Sequence, residues 1–130
     1  MNFKNESAFN RWWSQRFVEA GAVVLPVVGH EMQQPGWPDR YVASIWWTGW
    51  IEGKAGTRLS TSQRMRHEAL HSRGEPVYVW RIGDSIQVEW LDEVVAHIDY
   101  GEVGRTALQF LKTLDEEMRN RHWLRRKSPC

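Results

Sequence analysis

The chain has 130 residues, 42% hydrophobic and 25% charged, which is typical of one soluble globular domain. The formal net charge of +1 gives no overall signal for nucleic acid, although an acidic active site can cancel a basic binding surface in the sum. The single cysteine, Cys130, excludes a disulfide framework and a cysteine-based metal site. The sequence has neither a membrane-spanning apolar run nor a signal-peptide pattern, which predicts a cytoplasmic protein that contacts no membrane.

The first predicted element is a helix over residues 6–20. Asn5 suits the N-cap position and Gly21 ends the helix. Glu6 is an acid in the first turn, where it complements the helix dipole. The helix pattern alone leaves any further role of Glu6 open. The apolar side chains recur every four positions and predict one buried stripe: Phe9, Trp13 and Phe17.

A strand and a loop are predicted next. The apolar run over residues 22–28 predicts a buried strand, in which Pro26 marks an edge or a bulge. Residues 29–37 predict a loop. We interpret His30 and Glu31 as a solvated pair in that loop, because no second histidine follows at metal-ligand spacing.

Residues 41–46 and 50–54 predict a hairpin that turns at Thr48-Gly49. A two-residue turn there would pair Ile45 with Glu52 and leave Asp39 further along the ladder. A wider turn or a bulge would bring Asp39 and Glu52 closer, and the sequence leaves this register open. Glu52 and Lys54 lie two residues apart, so a strand points both side chains to the same face.

A second helix is predicted from Ser60, where Ser60-x-x-Gln63 matches a capping box. Met65 and Ala69 lie four residues apart, and we expect both to face inward. The remaining positions carry a run of charged or basic residues, which indicates either a solvated face or contact with backbone phosphates: Arg64, Arg66, His67, His71 and Arg73.

The rest of the chain predicts one strand followed by helices. Residues 77–82 predict the strand, residues 91–98 a helix, and a long helix follows Gly101 and Gly104 to about residue 122. We interpret the apolar stripe on the long helix as core, with a dimer contact as the alternative: Ala107, Leu111, Leu114 and Met118. The prediction is a single domain over residues 1–130, with a core at about 5–82 and a C-terminal helical extension at about 89–123.

An ordered set of short motifs runs along this predicted core: Glu6, Gly36-x-Pro38-Asp39, Glu52-x-Lys54 and Leu59-Ser60-x-x-Gln63. Each is weak alone, since Glu-x-Lys on a strand is usually a solvated pair. In this order they resemble the PD-(D/E)xK phosphodiesterase superfamily, and within it the VRR-NUC (virus-type replication-repair nuclease) family, over about residues 5–81. Gly53 departs from the family pattern, which more often has an apolar residue there, and a strand glycine indicates a bulge or a close backbone approach.

The resemblance implies an α/β, restriction-endonuclease-like core of helix, three strands, helix and strand, with a mixed sheet and added C-terminal helices. It implies that Glu6, Asp39, Glu52 and the Gly53 carbonyl bind Mg²⁺ or Mn²⁺ through hard oxygen ligands. Lys54 would orient the attacking water or neutralise the pentavalent phosphorus, and Gln63 would hydrogen-bond at the edge of the site. We expect five residues to contact DNA: Arg40, Arg58, Arg64, Arg66 and His67.

These predictions together describe a metal-dependent endonuclease that hydrolyses DNA phosphodiester bonds. By resemblance, its substrate is branched DNA such as four-way (Holliday) junctions, cut by a homodimer in a bacterial or phage-infected cell. The alternatives are a general or flap-directed phage or repair nuclease, and a non-catalytic DNA-binding module, which intact Asp39, Glu52 and Lys54 disfavour. A purely structural role is the least favoured. Two surfaces could form the dimer contact: the tryptophan-rich hairpin tip at residues 46–50, and the stripe through Leu111, Leu114 and Met118. We favour the hairpin tip.

Overall fold

The computed structural model describes residues 2–27 and 37–127, with side chains to residue 121. The predicted loop residues His30 and Glu31, and the cysteine Cys130, lie outside the described residues. No helix within the described part of the chain is both long enough and apolar enough to cross a bilayer.

The chain folds into one six-stranded sheet with helices on both faces. The elements are α1 (Glu6–Glu19), β1 (Val23–Pro26), β2 (Arg40–Ala43), β3 (Thr48–Lys54), α2 (Thr61–Ser72), β4 (Val77–Arg81), β5 (Ile86–Trp90), β6 (Glu93–Ile98), a short 3₁₀ helix (Tyr100–Glu102) and α3 (Arg105–Lys127). The strands are ordered β1 to β6, with β3 and β4 parallel and all other neighbours antiparallel. The predicted order of helix, three strands, helix and strand is confirmed.

The hydrophobic core lies between the sheet and the pair α1 and α3. Asn5 caps α1 by accepting a hydrogen bond from the Ala8 N–H at 2.9 Å, and the predicted stripe of Phe9, Trp13 and Phe17 is fully buried. Trp13 and Phe17 pack against Trp80 of β4 with ring centroids 5.5 Å away. The Tyr78 hydroxyl, on the same face of β4, donates to Asp115 of α3 at 3.2 Å.

Helix α2 covers the opposite face of the sheet, and it does so with polar side chains. The predicted capping box of Ser60 and Gln63 is confirmed by both hydrogen bonds. The prediction that Met65 and Ala69 face inward is wrong: Met65 is 65% exposed, and Ala69 is exposed too, whereas His67 is buried. The helix packs on a part of the sheet that carries charged groups, so its buried positions are polar and its apolar ones face solvent.

Two other predicted elements differ from the structure. The strand predicted as buried is β1, which is the edge strand of the sheet within the described residues, as Pro26 indicated, and its Val23 and Leu25 are exposed. The helix predicted over residues 91–98 is strand β6, which follows a turn at Leu91 with a positive φ of 58°. The C-terminal extension therefore begins with the β5–β6 hairpin, which widens the sheet, and only then continues into α3.

Both surfaces predicted for a dimer are occupied within the monomer. Trp47 of the hairpin is buried in the core, and Trp50 packs against neighbouring aromatic rings. The α3 stripe of Leu111, Leu114 and Met118 also belongs to the core, which confirms the interpretation of that stripe as core. The hairpin tip therefore does not present three exposed indoles, although Trp46 and Trp50 stay partly exposed, and the α3 stripe is not a surface patch.

Candidate active site

The β2–β3 hairpin brings Asp39 and Glu52 side by side. Its turn spans residues 44–47, where the Ser44 hydroxyl accepts the N–H groups of Trp46 and Trp47 at 3.2 and 2.9 Å. The ladder then pairs Arg40 with Ile51, so the next step sets Asp39 opposite Glu52. The predicted turn at Thr48-Gly49 is wrong, because these residues pair with Ala43 and Val42 in the ladder and the turn lies earlier, at residues 44–47. This earlier turn is what brings Asp39 level with Glu52.

Two hydrogen bonds hold the Asp39 carboxylate at the end of β3. Its Oδ2 accepts from the Gly53 N–H and from the side-chain amide of Asn10, each at 2.9 Å. Asn10 is buried in α1, and its own oxygen accepts from the Trp13 indole N–H at 2.9 Å. This residue was missed in the sequence, although its position four residues after Glu6 puts it on the same side of the helix.

Gly53 allows this approach of α1 to the strand. A Cβ at position 53 would collide with the side-chain oxygen of Asn10. The ladder between β3 and β4 is regular across Gly53, so the glycine marks a close approach and not a bulge. Since the N–H and C=O of one strand residue lie on the same side, the Gly53 carbonyl also faces the Asp39 side of the strand.

Glu52 is a buried carboxylate with an incomplete set of partners. Its Oε2 accepts from the Gln63 amide at 2.9 Å and lies 3.7 Å from the Lys54 ammonium. Its Oε1 is buried and has no hydrogen-bond partner among the described residues. Burial is the main reason that the pKa of Glu52 rises to about 8, with the carboxylates of Asp39 and Glu6 adding to the rise and Lys54 opposing it.

Gln63 and Glu6 border this carboxylate from two helices. Gln63 divides its amide as the sequence suggested, with the oxygen accepting from the Ser60 N–H and the nitrogen donating to Glu52. Glu6 Oε1 accepts from the Ala55 N–H at 2.9 Å, directly after Lys54. Glu6 therefore lies at the rim of the site and holds the chain where β3 ends.

His67 lies under the site and not on the surface. Its side chain is buried, and its Nε2 has no hydrogen-bond partner among the residues that the structure describes. Burial, and then the Lys54 ammonium, lower the pKa of His67 to about 4, so the imidazole is neutral at neutral pH. This corrects the prediction of His67 as a phosphate contact, because an enclosed side chain presents no surface to DNA.

The four predicted DNA-contacting arginines differ in their surroundings. Arg58 is exposed in the loop between β3 and α2, and Arg64 is exposed but pairs with Glu68 and Asp92. Arg66 lies with its guanidinium carbon 4.9 Å from the centroid of the Trp37 ring. Arg40 is partly buried and sits opposite Ile51, on the face of the sheet away from Glu52.

A hard divalent cation fits the donor set at Asp39 and Glu52. Glu52 Oε1, which has no hydrogen-bond partner among the described residues, could serve as an oxygen ligand, and a cation there would offset the burial and the acid–acid repulsion that raise the pKa of Glu52. Within the described ranges, no three His, Cys, Asp or Glu side chains lie close enough together to hold an ion. Mg²⁺ needs only one or two carboxylates, since water and substrate phosphate supply its other ligands.

Comparison with known proteins supports the fold. No family model and no curated protein matches this sequence. The structure is similar to that of Archaeoglobus fulgidus Hjc, a Holliday junction resolvase from an archaeal hyperthermophile, with a TM-score of 0.54 and 15% sequence identity. The match covers 80% of this chain and 98% of that chain. The restriction-endonuclease-like fold is confirmed, and the finer assignment to the VRR-NUC family stays a prediction.

Proposed function

We propose that this protein is a metal-dependent endonuclease that hydrolyses DNA phosphodiester bonds in branched DNA. The observation that carries the proposal is the buried Glu52 carboxylate, which has a free oxygen and stands beside Asp39 with Lys54 on the same strand face. A strongly raised pKa in a carboxylate with defined charged neighbours is typical of a functional site. Similarity to the fold of a Holliday junction resolvase supports the choice of chemistry and substrate.

Asp39, Glu52 and the Gly53 carbonyl would hold Mg²⁺ or Mn²⁺, with Glu6 at the rim of the ligand set. When bound, the metal lowers the pKa of a coordinated water and stabilises the negative charge that grows on the phosphate. Burial, aided by the neighbouring acids, makes the metal-free site favour a proton on Glu52. Binding of the cation therefore releases that proton.

The side chains around the acids divide the remaining work. Asn10 and the Gly53 N–H fix the Asp39 carboxylate, and the Gln63 amide orients Glu52. The Lys54 ammonium, 3.7 Å from Glu52 Oε2, orients the water for in-line attack or neutralises the phosphorus centre as the P–O bond to the leaving oxygen breaks. His67 is neutral at neutral pH, so it adds no positive charge beside Lys54.

The decisive experiment incubates the protein with linear duplex, single-stranded, flap and four-way junction DNA in Mg²⁺, Mn²⁺ or EDTA. We expect cleavage with either metal, none in EDTA, and the fastest cleavage on the four-way junction. Asp39→Ala and Lys54→Ala should each abolish cleavage and keep the fold by circular dichroism. Calorimetry separates their roles, because only the Asp39 change should weaken metal binding. Equal rates on all four DNAs would contradict the preference for branched DNA.

Junction cleavage at paired positions requires two active sites, and a two-fold symmetric homodimer supplies them at a fixed separation. The edge strand β1 offers a surface for this contact. Its exposed side chains include Leu25, which is 54% exposed, and Ile45 lies near the end of the same ladder and is 89% exposed. Among the described residues β1 has a neighbouring strand on one side only, which leaves its other edge able to pair with a second copy.

Light scattering tests the assembly. The unsubstituted protein should be a dimer at micromolar concentration, and Leu25→Glu should give a folded monomer with reduced cleavage of junctions at paired sites. Met65→Glu is the matched control, since Met65 is also an exposed apolar residue, at 65%, but lies on α2. A monomeric unsubstituted protein that still cuts junctions at paired positions would contradict the dimer and leave the nuclease proposal intact.

A further inference from the structure

Three aromatic side chains lie next to the acid pair on the same face of the sheet. Tyr41 is opposite Trp50 in the β2–β3 ladder, and Trp50 precedes Glu52 by two residues. The aromatic pair is therefore two residues along the strands, about 7 Å, from the acid pair. Trp37 completes the group: its ring centroid is 5.4 Å from that of Trp50, and the Tyr41 centroid is 4.9 Å from the same ring.

These rings do not belong to the hydrophobic core. The core cluster includes none of them, and each of the three is partly exposed. Large aromatic rings are ordinarily placed where their surface is removed from water, as Trp13 and Trp80 are here. A partly exposed group of three, continuous with a candidate active site, indicates a surface that receives a flat apolar ligand.

A cation borders the same group. The Arg66 guanidinium lies over the Trp37 ring at 4.9 Å, and Arg66 follows Gln63, which donates to Glu52, by one helical turn. Ring faces and a planar cation thus lie together beside the proposed phosphate-cleaving site. Nucleobases stack on aromatic rings and on arginine planes, while their phosphates seek cations.

We propose that Trp37, Tyr41, Trp50 and Arg66 form a platform on which an unpaired DNA base stacks beside the scissile phosphate. The inference rests on the proposed nuclease function and narrows its substrate class. Both faces of a base inside a duplex are covered by its neighbours, so a ring platform selects a base that has left the stack. The preferred substrates are then DNAs with an unpaired nucleotide next to the cleaved bond, as at a branch point.

The test compares two matched DNA duplexes, one fully paired and one with a single unpaired thymine. Binding is measured without metal in protein that carries Glu52→Gln, so that no cleavage interferes. The unpaired thymine should tighten binding about tenfold, and adding Trp37→Leu or Tyr41→Leu should remove most of that gain. Trp46→Leu is the control: Trp46 is also partly exposed and has Arg105 at 5.5 Å over its ring, but it precedes β3, whereas the acids lie at the far end of that strand.

A second measurement does not depend on how the variants fold. With 5-iodouracil at the unpaired position, ultraviolet crosslinking to the unsubstituted protein without metal should map to Trp37, Tyr41 or Trp50. Crosslinks elsewhere, or a paired-to-unpaired affinity ratio that Trp37→Leu leaves unchanged, would overturn the platform. If no DNA is cut in Mg²⁺ or Mn²⁺ the nuclease proposal fails, whereas cleavage with an unchanged affinity ratio removes the platform alone.

Discussion

Glu52 and Glu89 are two buried acids in the same row of the sheet, and they differ in how they are satisfied. Both lie opposite Val79, Glu52 across the parallel ladder and Glu89 across the antiparallel one. Their exposures are 3% and 5%. Both oxygens of Glu89 accept hydrogen bonds from the Arg81 guanidinium, at 2.7 and 3.3 Å, and one of them also accepts from the Gln87 amide at 3.1 Å.

Glu52 has one amide and a distant ammonium for one oxygen, and no hydrogen-bond partner among the described residues for the other. A buried carboxylate that lacks hydrogen bonds and a close opposite charge is destabilised in its charged form, so the pKa of Glu52 is raised. The two acids are thus equally buried in the same row of the sheet, but they differ in how fully their oxygens are hydrogen-bonded. The fold satisfies both oxygens of Glu89, whereas the free oxygen of Glu52 is the one on which the proposed metal site depends.

The largest effect should come from Glu52→Gln. We expect cleavage to fall by at least about a thousandfold, since a ligand for the metal and its charge are lost together. The melting temperature at neutral pH should hardly move, because the acid is already mainly protonated in the metal-free protein. Single-turnover cleavage and thermal melting measure the two quantities, and retained turnover would remove the basis of the proposed function.

Glu89→Gln should show the reverse pattern. The substitution leaves the partly buried Arg81 guanidinium without its charged partner, which should lower the free energy of unfolding by about 2 kcal/mol. Urea unfolding measures the loss, and cleavage at a temperature where the variant is folded should stay near that of the unsubstituted protein. A large loss of cleavage in folded protein would place Glu89 in the active site and end the contrast with Glu52.

Metal affinity should depend on pH through Glu52. Burial, aided by Asp39 and Glu6, raises the pKa of this acid to about 8, so Mg²⁺ must displace a proton below that pH. Affinity should therefore rise about tenfold per pH unit from pH 6 and level off above pH 8. Calorimetry in buffers of different ionisation enthalpy detects the released proton, and the dependence should vanish in Glu52→Gln.

The same shift sets the sign of the stability change in the metal-free protein. A carboxyl whose pKa is raised on folding stabilises the fold fully below its unfolded value, near 4.5, and loses that contribution as pH rises through about 8. His67 acts in the opposite direction, since its lowered pKa costs stability as pH falls from 6.5 towards 4. The two contributions oppose each other between pH 4.5 and 6.5, so melting temperatures in EDTA should fall mainly between pH 6.5 and 8, and Glu52→Gln should remove that fall.

The smallest effect should come from Glu6→Gln. The amide keeps a hydrogen bond to the Ala55 N–H and forfeits the charge near the N-terminus of α1, so stability should change by at most about 1 kcal/mol. We expect Mg²⁺ affinity and cleavage to fall about tenfold, as for an acid at the rim of the ligand set. Unaltered metal affinity would limit Glu6 to the helix dipole and the loop that it holds.

The sequence predicted those parts of the fold that depend on local periodicity. The α1 stripe, the Ser60 cap and the common face of Glu52 and Lys54 follow from spacings of four, three and two residues. The pairing of Asp39 with Glu52 could not be predicted, because it depends on a four-residue turn closed by the Ser44 hydroxyl.

Other predictions were wrong because contacts between distant parts of the chain outweigh the local sequence pattern. Helix α2 buries His67 and exposes Met65, since the sheet beneath it is charged, and hydrophobic periodicity then indicates the wrong face. The β-branched residues Val94 and Val95 favoured a strand in the segment that was predicted as a helix. The role of Asn10 emerges only when α1 is packed against Gly53.

That packing couples positions 10 and 53. An apolar side chain at position 53, as the resembling family more often has, cannot enter while Asn10 holds Asp39, and Asn10 cannot reach Asp39 unless position 53 is a glycine. Either substitution alone therefore disturbs the hydrogen bond that holds the Asp39 carboxylate, and we expect the two positions to tolerate change only together.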